Sequence, residues 1–219
     1  MSQNVNIEKR IQIESRSNRD IIQGQFIDSY RNLTIKHLFG LKWAVEHFPK
    51  VAFIMKIDDD IFINYYLLNK FINNVLSRQE GYYVVGYVHN KMKTIRDPKS
   101  KWFVTELEFP FAQYPQFCSG WAYLGTVEAI KMILCNKKNF SKNFWIDDVY
   151  VTGILRNECF KLKPINHLYN IDPLSLKHWI DNQGKLQWHF LFSNTDNVHM
   201  LSNALKLNAI IHTNKQLYR

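Results

Sequence analysis

Cysteine is scarce in this chain. Only Cys118, Cys135 and Cys159 occur among 219 residues, at spacings that fit no zinc-ligand pattern, which argues against a structural zinc site. No apolar run approaches the ~20 residues needed to cross a bilayer, and the opening MSQNVNIEKR is too polar for a signal-peptide core. As written, the chain reads as soluble. There is no Gly/Ser linker, internal repeat or low-complexity tract, so one domain over residues 1–219 is expected. Acidic residues are outnumbered, 19 against 28 Lys and Arg, giving a net charge of +9 and a pI near 9.4. Such a surface attracts polyanions, diphosphates or acidic membranes without selecting among them.

Hydrophobic residues make up 46% of the chain and aromatics 15%, enough for one sizeable core. The six Trp, eleven Tyr and fifteen Phe exceed what a minimal core needs. Flat aromatic faces suit sugar rings, although core packing accounts more simply for any single ring. The densest basic cluster, Lys91, Lys93, Arg96, Lys99 and Lys101, runs through a polar stretch broken by Pro98. It reads as a solvated loop, with contact to an acidic substrate or partner as the alternative. Sequons at Asn32 (NLT) and Asn139 (NFS) point weakly to a secretory compartment.

Leu38, Leu41, Val45 and Phe48 recur at helical spacing, so a helix is expected over residues 30–48, ended by Pro49. The apolar, β-branched run VAFIMKI (51–57) reads as a strand buried on both faces. Helical spacing returns at Leu67, Leu68, Phe71, Ile72, Val75 and Leu76, with Asn64 as N-cap. Residues 82–88 and 121–125 read as further strands, the latter followed by a helix over 127–134 capped by Thr126. Alternating strands and helices indicate an α/β layered fold. Beyond Pro164 the pattern weakens.

Asp58, Asp59 and Asp60 stand at the end of that first buried strand, where α/β sheets bind ligands. Three adjacent carboxylates repel one another unless a cation neutralises them. Mg²⁺ and Mn²⁺ bind through one or two carboxylates together with substrate phosphates. A metal-diphosphate site follows, the alternative being an exposed acidic turn. Asp147 and Asp148, in FWIDDVYVTG, precede what looks like the first turn of a helix. They can serve as N-cap and dipole partner, and the same dipole keeps a general base ionised.

The strings DIIQGQFIDSYRNLTIKHLFGLKWA, FIMKIDDDIFIN, YPQFCSGWAYLG and IDDVYVTGIL occur in this order across roughly residues 14–165. In them the chain resembles the β-1,3-galactosyltransferase and β-1,3-N-acetylglucosaminyltransferase family, glycosyltransferase family 31, which includes the fringe-like enzymes. The resemblance implies a GT-A type fold with a mixed central sheet flanked by helices. It also implies an inverting, metal-dependent transfer of galactose or N-acetylglucosamine from a UDP-sugar to a glycan, glycoprotein or glycolipid hydroxyl, with Mn²⁺ as the usual metal. By the family pattern Asp58 faces the nucleotide and ribose, with Asp59 and Lys56 beside it. Asp60 is the direct metal ligand, supported by Asp59 and by a late histidine, His212 or else His199. Asp148 resembles the catalytic base and Asp147 its acceptor-side neighbour. Gly120, Trp121 and Tyr123 are the residues expected to line the sugar or acceptor pocket, and a Cys118–Cys159 disulfide is hypothesised.

The resemblance further implies a type II, signal-anchored protein of the Golgi membrane with a lumenal catalytic domain. Relative to that pattern the chain starts near the middle of the nucleotide-binding half, without the first strand-helix-strand unit. A non-catalytic glycan-binding homologue is therefore the second reading. A metal-dependent phosphoryl-transfer enzyme acting on nucleic acid is the third; nucleic acid is not an expected partner, because the strings match only the glycosyltransferases.

Overall fold

The structure is a computed structural model describing residues 5–139, 142–156 and 158–217. Its backbone divides into two compact units, one drawn from residues 1–54, 90–117 and 127–160, the other from 55–89, 118–126 and 161–219.

In the first unit lie helices α1 (Val5–Asn18), α2 (Leu33–His47) and α4 (Val127–Asn136), and a π-helical turn (Val149–Ile154). A single 3₁₀ turn, Tyr30–Asn32, leads into α2. α2 stops one residue before Phe48, where the following Pro49 disfavours helical geometry. Its buried stripe is Thr34, His37 and Leu41. This corrects the expected face: of Leu38, Leu41, Val45 and Phe48 only Leu41 is fully buried, and Phe48 is exposed. Two polar side chains took the inward positions because each bonds to the segment carrying Asp147, as shown below.

Residues 90–116 cross this unit without a helix or a named strand, yet they are tightly organised. Arg96 donates to the carbonyls of Val104 (2.7 Å), Phe109 (2.6 Å) and Phe111 (3.2 Å). Thr94 Oγ1 donates to Phe111 O, and Lys93 bridges Gln113. One guanidinium thus satisfies three carbonyls of a long loop, a fork geometry that lysine lacks. Within the basic cluster, Arg96 is a structural pin rather than part of a solvated face.

The second unit holds most of a four-stranded sheet ordered β1 (Phe53–Ile57), β4 (Phe117–Thr126), β3 (Tyr83–His89) and β5 (Lys161–Pro164), with β3 and β5 parallel. β1 is an end strand and only Ile54 is fully buried in it, so the expectation of burial on both faces is corrected. β3 is covered far more completely. At its centre, a Cβ at Gly86 would lie 3.0 Å from Tyr123 Cβ and 3.2 Å from Cys118 Sγ, which is why the smallest residue stands there. Helix α3 (Tyr65–Asn74) begins as expected, with the Asn64 side chain accepting from Leu67 N. Thr126 turns its hydroxyl to the backbone of Tyr83, accepting from its N–H at 3.3 Å.

The weakly patterned C-terminal part supplies β6 (Tyr169–Asn170), α5 (Pro173–Asp181), β7 (Phe192–Asn194) and α6 (Val198–Leu217). β7 pairs antiparallel with β2 (Ile61–Ile63) and parallel with β6, making a second, mixed sheet. Phe62, Leu176, Trp179, Met200 and Ala204 form its core. Asp172 caps α5, its side chain accepting from Leu174 N, with Pro173 in the first turn. The expected α/β architecture with mixed sheets and flanking helices is present. No helix among the described residues is long and apolar enough to cross a membrane.

The cysteines are thiols. Cys118 is buried against Gly86, whereas Cys159 is exposed, 3.6 Å from Asn136 Nδ2. The Cys118–Cys159 disulfide is not formed. Of the sequons, Asn32 Nδ2 donates to Ile27 O at 2.9 Å and Asn139 is exposed, while Ser141 lies outside the described residues.

Candidate functional site

Each acidic cluster belongs to one unit. In the second unit, β1 and β2 are joined by a turn in which Ile61 N donates to Asp58 O at 3.3 Å, leaving Asp59 and Asp60 as its central residues. β4 fixes the start of the turn, since Asp58 N donates to Trp121 O at 2.8 Å. Thr195, just beyond β7, fixes its end by donating to Asp60 O at 2.6 Å. The turn is therefore held through its own backbone at both ends, by the Trp121 carbonyl and the Thr195 hydroxyl, and its carboxylates are not needed to hold it.

Lys56 pairs with the Asp58 carboxylate and also donates to Gly120 O. Its ammonium offsets one of the three negative charges. Asp59 and Asp60 are exposed, and neither carboxylate has an ion pair or hydrogen bond among the described residues. Among those residues no three His, Cys, Asp or Glu side chains group into a metal cage. Two open carboxylates on a rigid turn fit a hard divalent cation whose remaining ligands are diphosphate oxygens and water, the usual manner of Mg²⁺ and Mn²⁺ sites. They do not fit a cage closed by protein.

The other residues expected here divide in two. Trp121 and Gly120 are partly exposed on β4 beside the turn. Tyr123 has no exposed surface and belongs to the core in this structure, which corrects its expected place in a pocket lining. His212, on α6, packs at a tilt against Tyr66 with ring centroids 5.1 Å apart, and its Nδ1 is buried with no hydrogen-bond partner among the described residues. His199 is exposed in the first turn of α6.

In the first unit, Asp147 and Asp148 open the π-helical turn. Asp148 Oδ1 accepts from Val149 N at 2.8 Å, and Thr152 Oγ1 donates to Asp148 O at 2.8 Å. Asp147 Oδ2 lies 2.8 Å from His37 Nδ1; the His37 side chain is 2% exposed and that of Asp147 19%. One turn earlier on α2, Thr34 Oγ1 donates to Phe144 O at 2.7 Å. Two side chains of one helix face thus hold the segment that carries the acidic pair.

Aromatic and charged groups surround that segment. The Arg31 guanidinium lies 4.2 Å from the centre of the Trp145 ring and pairs with Glu108 at 2.5 Å. The Glu108 carboxyl is held below its usual range, chiefly by the Thr105 backbone N–H and further by Arg31. Burial raises the Tyr114 phenol; Arg96 opposes the shift while the Asp148 and Glu108 charges add to it. Burial also pushes Tyr150 up to about 12, and its hydroxyl donates to Lys142 O.

Sequence reasoning missed His37, Thr34 and Thr195. The first two were accessible in principle, because Thr34, His37 and Leu41 share a helical face. Thr195 carries no local signal, being 135 residues from Asp60.

A mixed α/β chain bearing an acidic turn at the end of a strand, with a second carboxylate pair at the start of a helical turn, falls in the class of α/β folds whose ligands bind at strand ends. Within that class a family model described as Galactosyltransferase matches residues 1–166, and the chain belongs to this family. It is 35% identical over 161 residues to human beta-1,3-galactosyltransferase 5, covering 72% of this chain and 50% of that one. The Gorilla gorilla gorilla beta-1,3-galactosyltransferase 5 is 35% identical over 158 residues, 72% of this chain and 52% of that one. Human beta-1,3-galactosyltransferase 2 is 34% identical over 146 residues, 66% and 34%. The chain spans about half the length of the first of these curated relatives or less. Among solved structures, a glycosyltransferase involved in glycosylation of the major capsid of PBCV-1 aligns with TM-score 0.40 and 12% identity, covering 92% of this chain and 90% of that one.

Proposed function

We propose that the protein is an inverting hexosyltransferase of GT-A type that moves a sugar from a UDP-sugar to a glycan hydroxyl in β-1,3 linkage. Family membership and the relatives' names favour galactose over N-acetylglucosamine as the donor sugar. The observation that carries the reading is the different state of the two carboxylate groups: Asp59 and Asp60 open to a cation, Asp148 held by its own helical turn.

In the reaction, Asp148 accepts the proton of the acceptor hydroxyl while that oxygen attacks the anomeric carbon. The bond from that carbon to the diphosphate oxygen breaks, and its electron pair leaves with UDP. Inversion at carbon follows from attack opposite the leaving group. Asp59 and Asp60 would hold a divalent cation such as Mn²⁺ together with diphosphate oxygens, and that cation would supply charge neutralisation for the departing diphosphate; His212 does not group with them among the described residues. Asp58, oriented by Lys56, faces the nucleotide. Trp121 and Gly120 border the sugar, and Asp147 receives the acceptor. The working context is the Golgi lumen, with glycoprotein or glycolipid acceptors and a membrane-anchored full-length form.

The test is transfer from UDP-galactose and from UDP-N-acetylglucosamine to a panel of glycans with Mn²⁺, comparing the unaltered protein with Asp148→Asn. Product formation that Asp148→Asn abolishes is expected. Transfer that persists in Asp148→Asn removes the assigned base. A folded protein that binds glycan but never turns over replaces this reading by a glycan-binding one.

A further inference from the structure

The buried histidine on α2 has no part in the reaction as derived so far, yet its ring reaches the acidic pair. We propose that His37 is a positioning residue for the acceptor, acting through the carboxylate of Asp147. The proposal rests on the reading of Asp147 and Asp148 given above.

A carboxylate only accepts hydrogen bonds, so at 2.8 Å the Nδ1 of His37 carries the shared hydrogen and donates it to Asp147 Oδ2. His37 lies on a 15-residue helix, and its side chain is 2% exposed. It therefore cannot swing away without repacking α2. Asp147 keeps 19% of its side chain exposed, so the residue borders solvent, from which an acceptor would approach. The result is a carboxylate anchored by a rigid buried donor, on a side chain that still reaches the surface.

Thr34 strengthens the case. It precedes His37 by one turn on the same face and bonds the carbonyl of Phe144, three residues before Asp147. Two anchors on one helix fix both backbone and side chain of the segment that leads into Asp148. A core position such as this is ordinarily filled by an aliphatic residue, as Leu41 fills the next turn. Burying an imidazole instead carries a desolvation cost that its bond to Asp147 offsets. The chemistry at stake is orientation, because a displacement of about 1 Å in a reacting group can cost on the order of 10²-fold in rate.

Two substitutions separate orientation from packing. His37→Asn keeps an N–H donor at the position of Nδ1, while His37→Leu fills similar space without one. Acceptor binding is measured by calorimetry with a disaccharide acceptor and no donor, UDP binding with Mn²⁺ is measured separately, and steady-state transfer is followed for all three proteins. His37→Leu should weaken acceptor binding and raise acceptor KM about tenfold or more, as expected for a lost hydrogen bond to a charged group. UDP binding and donor KM should stay unchanged, and His37→Asn should recover most of the loss. Should His37→Leu fail to fold, His37→Gln takes its place; its amide reaches the Nε2 position and is expected to fail as Leu does.

Equal acceptor affinity in the unaltered protein and His37→Leu or His37→Gln would overturn the proposal. So would equal losses in His37→Asn and His37→Leu. An unaltered protein that binds acceptor in a His37-dependent way but transfers no sugar would uphold the positioning role and sink the transferase reading alone. One that binds no acceptor would sink both.

Discussion

The two acidic clusters have similar composition and opposite surroundings. Asp58–Asp60 sits on a backbone-clamped turn, with one carboxylate paired to Lys56 and two open to solvent. Asp147 and Asp148 are bonded by a buried histidine and by a helical N–H. In the proposed reaction the exposed carboxylates on the rigid turn are the ones assigned to a cation and its phosphate ligands. The carboxylates bonded in one orientation are the ones assigned to the proton transfer and the acceptor. Sequence adjacency of aspartates therefore says little about chemistry until the partners of each oxygen are known.

The largest expected effect lies in the helix-held pair. Asp148→Asn should lower transfer by about 10²- to 10⁴-fold, the range for a general base, in steady-state assays. If the loss is below tenfold, the contrast between the clusters has been drawn wrongly. The next effect tests the frame of the turn. Phe62 is fully buried in β2 directly after the acidic turn, and Phe62→Ala should cost about 3–5 kcal/mol in chemical denaturation.

A smaller effect is expected at the open cluster. Asp60→Asn should weaken Mn²⁺-dependent UDP binding at least about tenfold, or about 1.4 kcal/mol, by calorimetry, without lowering thermal stability, since only the backbone carbonyl of Asp60 is used structurally. Asn64→Ala removes the α3 cap and should cost about 1 kcal/mol. The smallest effect concerns acid. The folded state depresses the Glu108 carboxyl. Its stabilising contribution is therefore present above the ordinary carboxylate range and lost as pH falls through the lowered value. Glu108→Gln should flatten that part of the acid-stability curve, measured by melting temperature against pH.

Much of the fold was legible. Asn64 capping α3, the strand leading into Asp58 and the helix before Pro49 all follow from local periodicity and capping chemistry. Residues whose places depend on distant partners were not. The inward face of α2 was misassigned because hydrophobicity cannot reveal that Thr34 and His37 find buried acceptors more than a hundred residues away. Tyr123 reads as a pocket ring from its motif, but its side chain is fully buried, beside Gly86 of the neighbouring strand β3. The identity of both acidic clusters was visible in sequence; the clamp on the turn by Trp121 and Thr195, and the bond from His37, emerge only when the chain is folded.

The most direct test of the division of labour is a paired measurement on one protein: Mn²⁺-dependent UDP binding and sugar transfer, each compared between Asp148→Asn and Asp60→Asn. Donor binding should be retained in the first variant and lost in the second, with transfer lost in both. Loss of donor binding in Asp148→Asn, or its retention in Asp60→Asn, would contradict the roles assigned to the two clusters.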